Sequence, residues 1–533
     1  MMDDRGLADP FRDGLAAGWN VVDASRLADD RTFEADVAIV GTGAGGGTAA
    51  DMLTSAGLSV VMIEEGPLAT SSDFHMLESE AYPQLYQESA ARRTKDRAIN
   101  ILQGRCVGGG TTVNWTSSFR TPAATLEHWR DRYGLTGLTE AALAPWFERM
   151  EQRLGIAPWP VAPNENNEVL RRGADALGIR VDSIRRNVGG CWNLGYCGMG
   201  CPTNAKQSML VTTIPSALAR GATLLTRTRA VALECSGRRA VVLSCVALDA
   251  RGTDPTARRI AVRARTFVAA GGAIGTPALL LRSRVPDPHG VVGKRTFLHP
   301  TVVSAARMPE PVEGFSGAPQ AIYSDQFLSG DPAGPMGYKL EVPPIHPVLA
   351  AITLPGHGPP HARWMRELAH LQVIIALLRD GFHPESTGGS VVLRGDATPV
   401  LDYPLGGYFW EGARRAFATM AEIQFAAGAS EVMPVHASGA SYRAWSEAQV
   451  AIARLPLEPL TAPVFSAHVM GGCAMGADPR RSAVDPTGRY HHLDNVYVLD
   501  GSLFPTSIGA NPQLSIYALV AKLASTLAAA LRG

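Results

Sequence analysis

Residues 36–66 read DVAIVGTGAGGGTAADMLTSAGLSVVMIEEG, and this segment gives the clearest indication of the fold class. An apolar run at 37–40 meets a glycine cluster, an alanine-rich stretch follows, and a second apolar run at 60–63 ends at Glu64. The pattern predicts a strand, a turn, a helix and a second strand within about 30 residues. This unit is typical of a doubly wound α/β sheet.

Three glycines in the turn, Gly41, Gly43 and Gly46, fit the pattern G-x-G-x-x-G. In such a turn the first glycine permits a sharp bend, the second lets the backbone approach a pyrophosphate, and the third lets helix and strand pack closely. Glu64 follows Gly46 by 18 residues, where a carboxylate can accept a hydrogen bond from a ribose hydroxyl. The stretch therefore predicts a dinucleotide site, but it does not separate NAD from FAD.

Composition excludes several other classes of protein. The 533 residues include 49 Lys and Arg against 49 Asp and Glu, and 46% are hydrophobic. This composition excludes a disordered, collagen-like or coiled-coil chain. The balanced charge also gives no excess of positive residues for binding nucleic acid. The first 20 residues lack the apolar core of a signal peptide, and no run reaches about 18 apolar residues. We expect a cytoplasmic protein without a transmembrane segment, with peripheral membrane association left open.

Changes in residue composition and pattern along the chain indicate two domains. Glycine-rich and strand-like segments recur at 104–115, 261–273 and beyond 496, whereas 311–455 is rich in Pro, His and Gly and contains a hairpin pattern at 390–403. We predict an α/β fold with a Rossmann-type domain built from separate segments and a mixed α/β substrate domain that contains an antiparallel sheet. The Rossmann-type domain is assigned to 34–125, 205–310 and 456–533, the substrate domain to 126–204 and 311–455, and an N-terminal extension to 1–33.

Four ordered motifs resemble the glucose–methanol–choline (GMC) oxidoreductases over nearly the whole chain. They are the 36–66 fingerprint, GRCVGGGTTVN at 104–114, AAGGAIGTPALLL at 269–281, and HVMGGCAMG at 468–476 followed by VLDGSLFP at 498–505 and GANPQL at 509–514. The resemblance implies the two-domain fold of that family, with FAD rather than NAD as cofactor. Within the family, CWNLGYCGMGCPTNAKQSM at 191–209 is similar to the long-chain (fatty) alcohol oxidase branch.

The resemblance also implies which residues contact the cofactor. The resemblance assigns the ADP half of FAD to the 36–66 fingerprint and the adenine to a backbone contact at residue 231. It assigns the flavin and the ribityl chain to the second motif. The third and fourth motifs are assigned the other contacts with the cofactor. The residues, in that order, are Gly41, Gly43, Gly46 and Glu64; Val231; Gly104, Gly109 and Asn114; Ala270 and Gly271; Asp500 and Gly501 on the pyrophosphate side; and Asn511 and Pro512 near the isoalloxazine.

Two residues match the catalytic positions of the family, His468 and Asn511. Alcohol oxidation removes a proton from oxygen and a hydride from carbon. An alcohol with a pKa of ~16 and an imidazole with a pKa of ~6.5 differ by about 13 kcal/mol in proton affinity, so the oxygen needs stabilising donors or a coupled transfer. We hypothesise that His468 is the general base and that Asn511 donates an amide N–H to the reacting oxygen.

The sequence leaves open the role of three cysteines. Cys191, Cys197 and Cys201 are spaced C-x5-C-x3-C and are followed by Pro202. This spacing resembles iron–sulfur ligation, and some FAD-dependent sugar dehydrogenases of the superfamily carry a three-iron cluster on a similar arrangement. Structural thiols, a single disulfide and a zinc site are the alternatives.

Apolar runs in the middle region, such as 349–354, 371–378 and 409–410, suit a pocket for an alkyl or aryl alcohol, and they equally suit an ordinary core. We read 371–378 as a buried helix or a channel wall. The expected reaction is oxidation of a hydrophobic primary alcohol to the aldehyde with O2 as acceptor. The alternatives are a dehydrogenase that passes electrons from an alcohol or a sugar to a quinone or cytochrome, perhaps through an iron–sulfur cluster, a flavin-dependent lyase or decarboxylase, and a non-catalytic flavoprotein.

Overall fold

The computed structural model describes residues 7–328, 331 and 334–533. Residues 1–6 of the predicted extension lie outside the described residues. The β-strands, in chain order, are β1 (Asn20–Asp23), β2 (Arg31–Val40), β3 (Val60–Ile63), β4 (Ile99–Ile101), β5 (Ile156–Pro158), β6 (Asp182–Ser183), β7 (Arg185–Asn187), β8 (Thr223–Thr226), β9 (Thr228–Ser236), β10 (Arg239–Leu248), β11 (Pro255–Ala269), β12 (Lys294–Leu298), β13 (Thr301–Arg307), β14 (Ile322–Ser324), β15 (Tyr338–Glu341), β16 (Leu371–Leu378), β17 (Gly389–Leu393), β18 (Pro399–Asp402), β19 (Glu431–Pro434), β20 (Val464–Ser466), β21 (Val469–Gly471) and β22 (Val496–Val498).

One α-helix precedes β1, one follows β22, and the others lie between the strands. They are α1 (Pro10–Ala16), α2 (Ala44–Ser55), α3 (Glu78–Leu85), α4 (Gly110–Val113), α5 (Ala123–Tyr133), α6 (Glu140–Arg153), α7 (Glu165–Ala176), α8 (Thr213–Ala219), α9 (Gly272–Arg282), α10 (Pro347–Thr353), α11 (Gly358–Arg366), α12 (Gly407–Ala426), α13 (Trp445–Ala453) and α14 (Gln513–Arg532).

The first sheet has the order β1-β8-β3-β2-β11-β10-β9, and β22 pairs with β11. Strands β1, β8, β3, β2, β11 and β22 run parallel, whereas β9 and β10 form an antiparallel edge. Because β2, β3, β11 and β22 are parallel, their carboxyl ends meet at one edge of the sheet, which is where ligands bind in such folds. The α/β fold with a Rossmann-type sheet is confirmed. Strand β1, which we assigned to the N-terminal extension, forms an outer strand of this sheet.

The second large sheet has the order β4-β20-β13-β16-β15-β14-β6, and β19 also pairs with β13. Its strands are antiparallel except for the pair β4 and β20. Helix α12 packs across β13 and β16. The predicted hairpin at 390–403 is present as β17 and β18, within a smaller sheet of order β18-β17-β12-β21.

Segment 371–378 is strand β16, with all eight residues buried. A continuous apolar run of this length does not distinguish a buried strand from a buried helix, because neither face is polar. The interpretation of this run as a helix was therefore wrong. The alternative, that the run forms a wall of a cavity, agrees with the position of β16.

Apolar residues form one large core around the first sheet and two further clusters against the second large sheet. Helix α14 packs against α2 and α6 in the first core. By length and composition alone, α14 could cross a membrane, which differs from our expectation that no segment is long and apolar enough. The apolar window of this helix is 61% buried inside the protein, as is usual for a core helix.

Candidate functional site

A cavity of about 870 Å³ lies at the carboxyl edge of the first sheet and extends along the second sheet. All the predicted cofactor and catalytic residues line it except one, Gly46. The fingerprint turn, the second glycine segment and the C-terminal motif, which are hundreds of residues apart in the chain, therefore meet around one space. Their contacts with a cofactor remain a prediction.

The fingerprint glycines fit the roles that their spacing predicts. Gly41 has a φ of +96°, and a Cβ atom there would lie 2.3 Å from the carbonyl oxygen of Ala270. A Cβ atom on Gly46 would lie 1.8 Å from the carbonyl oxygen of Gly41. Gly46 thus serves the packing of helix against strand, which explains why it does not face the cavity.

A cradle suited to a pyrophosphate lies at the start of α2. The helix has no side-chain cap, and the first helical residues, Ala44 and Gly45, line the cavity, so the unpaired backbone N–H groups of the first turn are available to an anion. Gly109 approaches from the second motif with a φ of +53°, and a Cβ atom on it would lie 2.8 Å from Cα of Gly43. Side chains at Gly43 and Gly109 would fill this cradle, so the residues present fit a dinucleotide.

Glu64 lies at the end of β3, with 6% of its surface exposed. Its carboxylate accepts hydrogen bonds from the backbone N–H of Thr42 at 3.1 Å, the Thr42 hydroxyl at 2.6 Å and the N–H of Gly66 at 2.8 Å. Burial raises the pKa of Glu64 despite these donors. The carboxylate ties the fingerprint turn to the end of the next strand while facing the cavity.

Val231 lies where the pairing register of β9 and β10 shifts. Its carbonyl oxygen accepts a hydrogen bond from Nε of Arg282 at 3.0 Å. The carbonyl oxygen of Val231 in the cavity wall is therefore already hydrogen-bonded to the guanidinium of Arg282. Arg282 is a residue that the sequence analysis did not identify.

Asp500, two residues after the end of β22, organises the start of α9. Its Oδ2 accepts from the N–H of Gly272 at 2.7 Å and from the hydroxyl of Thr276 at 2.6 Å, and its Oδ1 accepts from the N–H of Ser502 at 2.8 Å. Gly271 donates its own N–H to the Thr276 hydroxyl at 2.9 Å. Burial raises the pKa of Asp500. The third and fourth motifs are thus joined through one carboxylate.

His468 lines the cavity and is coupled to a second histidine. Its Nδ1 lies 3.0 Å from Nδ1 of His299, and the backbone N–H of Gly509 donates to Nε2 of His299 at 3.1 Å. His299 is only 2% exposed, and burial holds its pKa well below the usual range. Burial, and secondarily the nearby Lys339, lower the pKa of His468 to about 3. Both imidazoles are therefore neutral at physiological pH.

Asn511 is held by a buried ion pair. Nζ of Lys339 donates to Oδ1 of Asn511 at 3.2 Å, and Nδ2 of Asn511 donates to Oε2 of Glu341 at 3.2 Å. Lys339 and Glu341 are 3.1 Å apart and are 3% and 0% exposed. Burial lowers the pKa of Lys339 to about 8. The amide oxygen is thereby turned toward the ammonium, and one of the two amide hydrogens remains available to the cavity.

A hydrogen-bond network continues from this pair across the cavity wall. Gln320 donates to Oε2 of Glu341 at 2.6 Å, and its own amide oxygen accepts from the Ser117 hydroxyl at 2.7 Å. Gln513 donates to the Ser117 carbonyl oxygen at 2.8 Å and accepts from the Asn114 amide at 2.7 Å. Asn114 and Asn511, two predicted site residues, are therefore linked through residues that the sequence analysis did not identify.

The far part of the cavity is apolar. Alternate residues of two paired strands face it, together with residues of α10 and of the segments beside it. They are Thr301, Val303 and Ala305 of β13, Leu371, Val373, Ile375 and Leu377 of β16, and Ile345, Leu349, Ala350, Leu354, Val435 and Phe465. Segment 371–378 is thus a wall of the cavity, and the only hydroxyl on these strand positions belongs to Thr301.

The three cysteines do not support an iron–sulfur cluster. No group of three His, Cys, Asp or Glu side chains within the described residues could hold a metal ion. Cys191, Cys197 and Cys201 are free thiols. The cluster hypothesis, and with it the zinc and single-disulfide alternatives, has no support in this geometry, and structural thiols remain.

A buried lysine ties the cysteine segment to the second motif. Nζ of Lys206, which is 3% exposed, donates to the carbonyl oxygens of Thr112 at 2.8 Å, Asn114 at 2.7 Å and Cys197 at 2.6 Å. Burial lowers the pKa of Lys206 to about 8. The segment 191–209 therefore braces the backbone beside the cavity.

Two signals in the sequence could have identified the missed residues. Lys339 and Glu341 are charged residues two apart in an otherwise apolar strand, so both point to one face and can neutralise each other there. Gln513 directly follows the Asn511-Pro512 pair. His299 carries no local pattern in the sequence that places it beside His468.

Comparison with known proteins identifies relatives over nearly the whole chain. The two GMC oxidoreductase family models match residues 82–301 and 384–520. An uncharacterised GMC-type oxidoreductase of Sinorhizobium fredii is 30% identical over 93% of this chain and 95% of its own length. A long-chain-alcohol oxidase of Arabidopsis thaliana is 29% identical over 91% of this chain and 67% of its own length.

Solved structures share the fold at low identity. Pyridoxine 4-oxidase from Mesorbium loti superposes with a TM-score of 0.65 at 20% identity, covering 92% of this chain and 98% of that one. A formate oxidase variant of Aspergillus oryzae RIB40 superposes with a TM-score of 0.69 at 15% identity, covering 95% of this chain and 100% of that one.

Proposed function

This chain belongs to the GMC oxidoreductase family and is an FAD-dependent oxidoreductase acting on alcohols, and on that premise we propose that it oxidises a hydrophobic primary alcohol to the aldehyde, with O2 as the electron acceptor. The proposed substrates are long-chain or aryl alcohols. The proposal is supported chiefly by the apolar walls of the cavity beyond His468 and Asn511.

FAD would be held by the glycine cradle of Gly43 and Gly109, by Glu64 and by the Asp500 segment, and when bound it supplies the acceptor for the hydride of the alcohol. The side chains of His468 and Asn511 both line the cavity, and we assign to them the contacts with the alcohol oxygen. Lys339 and Glu341 fix the direction of the Asn511 amide. This amide then offers an N–H to the oxygen as negative charge develops on it.

The apolar strand faces argue for an alkyl or aryl substrate over a sugar. A sugar would need many fixed polar groups along its length, whereas the β13 and β16 positions facing the cavity are aliphatic except for Thr301. Burying an alkyl chain against such a wall stabilises binding by about 0.8 kcal/mol for each methylene group. The relatives that are long-chain-alcohol oxidases agree with this substrate class.

An anaerobic visible spectrum, recorded before and after addition of a primary alcohol, tests the proposal. A long-chain alcohol is expected to bleach the oxidised-flavin band, and glucose at the same concentration is expected to leave it unchanged. Admission of air then tests the acceptor, since rapid return of the band supports O2 and slow return supports a dehydrogenase. Bleaching by sugars alone would contradict the proposed substrate class.

A further inference from the structure

We propose that the protein docks on lipid bilayers through the surface around helix α10, so that a long-chain alcohol enters the cavity directly from the membrane. The proposal deepens the proposed function and rests on it, because a bilayer is the phase in which such an alcohol resides. Each methylene group shifts the partition of an alcohol from water to an apolar phase by about fourfold. An alcohol of about ten or more carbons is therefore taken up almost wholly by membranes.

Helix α10 forms a thin wall between the apolar part of the cavity and solvent. Leu349, Ala350 and Thr353 of this helix line the cavity. Ile352 does not line the cavity, and 62% of its surface is exposed to solvent. The helix has seven residues, which is about two turns. A molecule that lies against its outer side is thus separated from the apolar cavity walls by one helix diameter, about 10 Å.

The start of α10 is fixed to the N-terminal part of the chain by one carboxylate. Glu78 accepts hydrogen bonds from the backbone N–H groups of Val348 at 2.7 Å and of Leu349 at 2.9 Å. Leu77, the residue before Glu78, is 50% exposed. The contact therefore places a second exposed aliphatic side chain beside the helix.

A stacking contact brings an exposed indole to the same surface. His346, the residue before α10, stacks on Tyr196 with ring centroids 4.9 Å apart. Trp192, four residues before Tyr196, is 61% exposed. We call Leu77, Trp192 and Ile352 the docking face. Single exposed apolar residues are common on soluble proteins, whereas three of them around one short helix indicate an interaction surface.

The charges and residue types around α10 suit a bilayer. Residues 342–366, which include α10 and α11, contain no Asp or Glu and contain two arginines and three histidines. Arg363 is paired with Glu431 of β19, whereas Arg366 is exposed. No carboxylate of this segment would therefore be repelled by an anionic lipid surface. An indole and aliphatic side chains next to a basic residue are typical of surfaces that lie in the membrane interface.

Co-sedimentation of the FAD-loaded enzyme with vesicles tests docking without any turnover. The vesicles consist of phosphatidylcholine and phosphatidylglycerol and contain no alcohol. We expect the wild type to sediment with them, Ile352→Ser to bind at least about tenfold more weakly, and Arg366→Gln to bind about fivefold more weakly. A wild-type protein that stays in the supernatant would overturn the proposal.

Val450→Ser is the matched control for Ile352→Ser. Val450 is an aliphatic residue on the surface of another helix, α13, and is 54% exposed. This variant should bind vesicles as tightly as the wild type does. Equal losses of binding in the two serine variants would show that no particular surface is used, and the docking face would be rejected.

Quenching of tryptophan fluorescence by brominated phosphatidylcholine locates the contact. Bromine on the acyl chains quenches an indole that reaches them. The chain has nine tryptophans, and Trp192→Phe keeps an aromatic ring at the docking face. This variant should still bind vesicles but lose most of the quenching that the wild type shows. Full quenching in Trp192→Phe would place another tryptophan at the bilayer and overturn the assignment.

Kinetics connect docking to the entry of substrate. In Ile352→Ser, the rate of flavin reduction by a long-chain alcohol carried in vesicles should fall about tenfold, whereas the rate with a short-chain alcohol in solution should stay the same. Equal losses with both alcohols would overturn entry from the membrane. If the vesicles are bound and no alcohol reduces the flavin, the proposed function fails and the docking face stands. If alcohols reduce the flavin and vesicles are not bound, docking fails and the proposed function stands.

Discussion

Lys339 orients the side chain of Asn511, because its Nζ donates a hydrogen bond of 3.2 Å to the amide oxygen Oδ1. The lysine is on β15, in the second sheet, whereas Asn511 precedes α14 of the first core. The orientation of an amide on one side of the cavity therefore depends on a charge that is supplied from the other side.

Replacing Lys339 with Met is expected to slow flavin reduction by about 10- to 100-fold, because the Asn511 amide is then free to turn its oxygen toward the substrate. The same change leaves Glu341 buried without its ion-pair partner, which should lower the free energy of unfolding by about 3–5 kcal/mol. Anaerobic stopped-flow reduction and urea unfolding measure the two effects.

The double variant Lys339→Met/Glu341→Gln separates these effects. Removing both charges should restore most of the lost stability, since no unpaired charge remains. The slow reduction should persist, because the donor to Asn511 is still absent. Recovery of the rate together with the stability would assign Lys339 a structural role only.

Gly109→Ala is expected to abolish FAD retention during purification. The new Cβ atom would lie 2.8 Å from Cα of Gly43, in the cradle, and the backbone has a φ of +53°. Gly57→Ala is the matched control, since this residue has a φ of +82° and its Cβ atom would meet nothing within 4 Å. The control should cost about 1 kcal/mol and keep its FAD. The flavin-to-protein absorbance ratio decides, and loss of FAD in both variants would contradict a specific role for Gly109.

Ala305→Phe should shorten the apolar part of the cavity. Ala305 lies four residues beyond Thr301 on β13, which is about 13 Å along a strand. The added ring should lower kcat/KM for a long-chain alcohol by at least about tenfold while changing that of a short-chain alcohol less. Val348→Phe is a suitable control, because Val348 is 44% exposed and does not line the cavity. A uniform loss for both alcohols would show that the change disturbs the fold.

Acid should destabilise the protein partly through His299. Because the folded-state pKa of this residue is held well below 6.5, the unfolded chain binds a proton below pH 6.5 that the folded protein does not. Its contribution to stability is therefore present above pH 6.5 and is lost as the pH falls, by about 1.4 kcal/mol for each pH unit. The difference in urea stability between pH 7 and pH 5 should be about 2 kcal/mol smaller in His299→Gln than in the wild type. Equal differences would contradict a buried neutral His299.

Local pattern was sufficient to predict the strand–turn–helix–strand unit of β2, α2 and β3 and the glycine turn within it. The need for glycine comes from a φ of +96° at Gly41 and from the nearby carbonyl oxygen of Gly41 at Gly46, and both effects are local, so the spacing identifies them. The helix or strand state of 371–378 was not predictable in the same way, since burial on both faces removes the periodic signal.

Partners from distant segments could not be predicted. His299 meets His468, and Lys339 meets Asn511, only because the fold brings together residues that are 169 and 172 positions apart in the chain. The cysteine spacing left open a metal centre that the geometry of the described residues does not support, because spacing does not report whether three thiols point toward one another.

The pairing of β22 with β11 has a consequence for the time at which the enzyme matures in the cell. Strand β22 and helix α14 complete the sheet that contains β2, which lies more than 450 residues earlier in the chain. During translation, the ribosome releases the glycine turn long before the residues that complete its surroundings. FAD should therefore be captured only after β22 and α14 have left the ribosome, because the edge that Asp500 organises is incomplete before then.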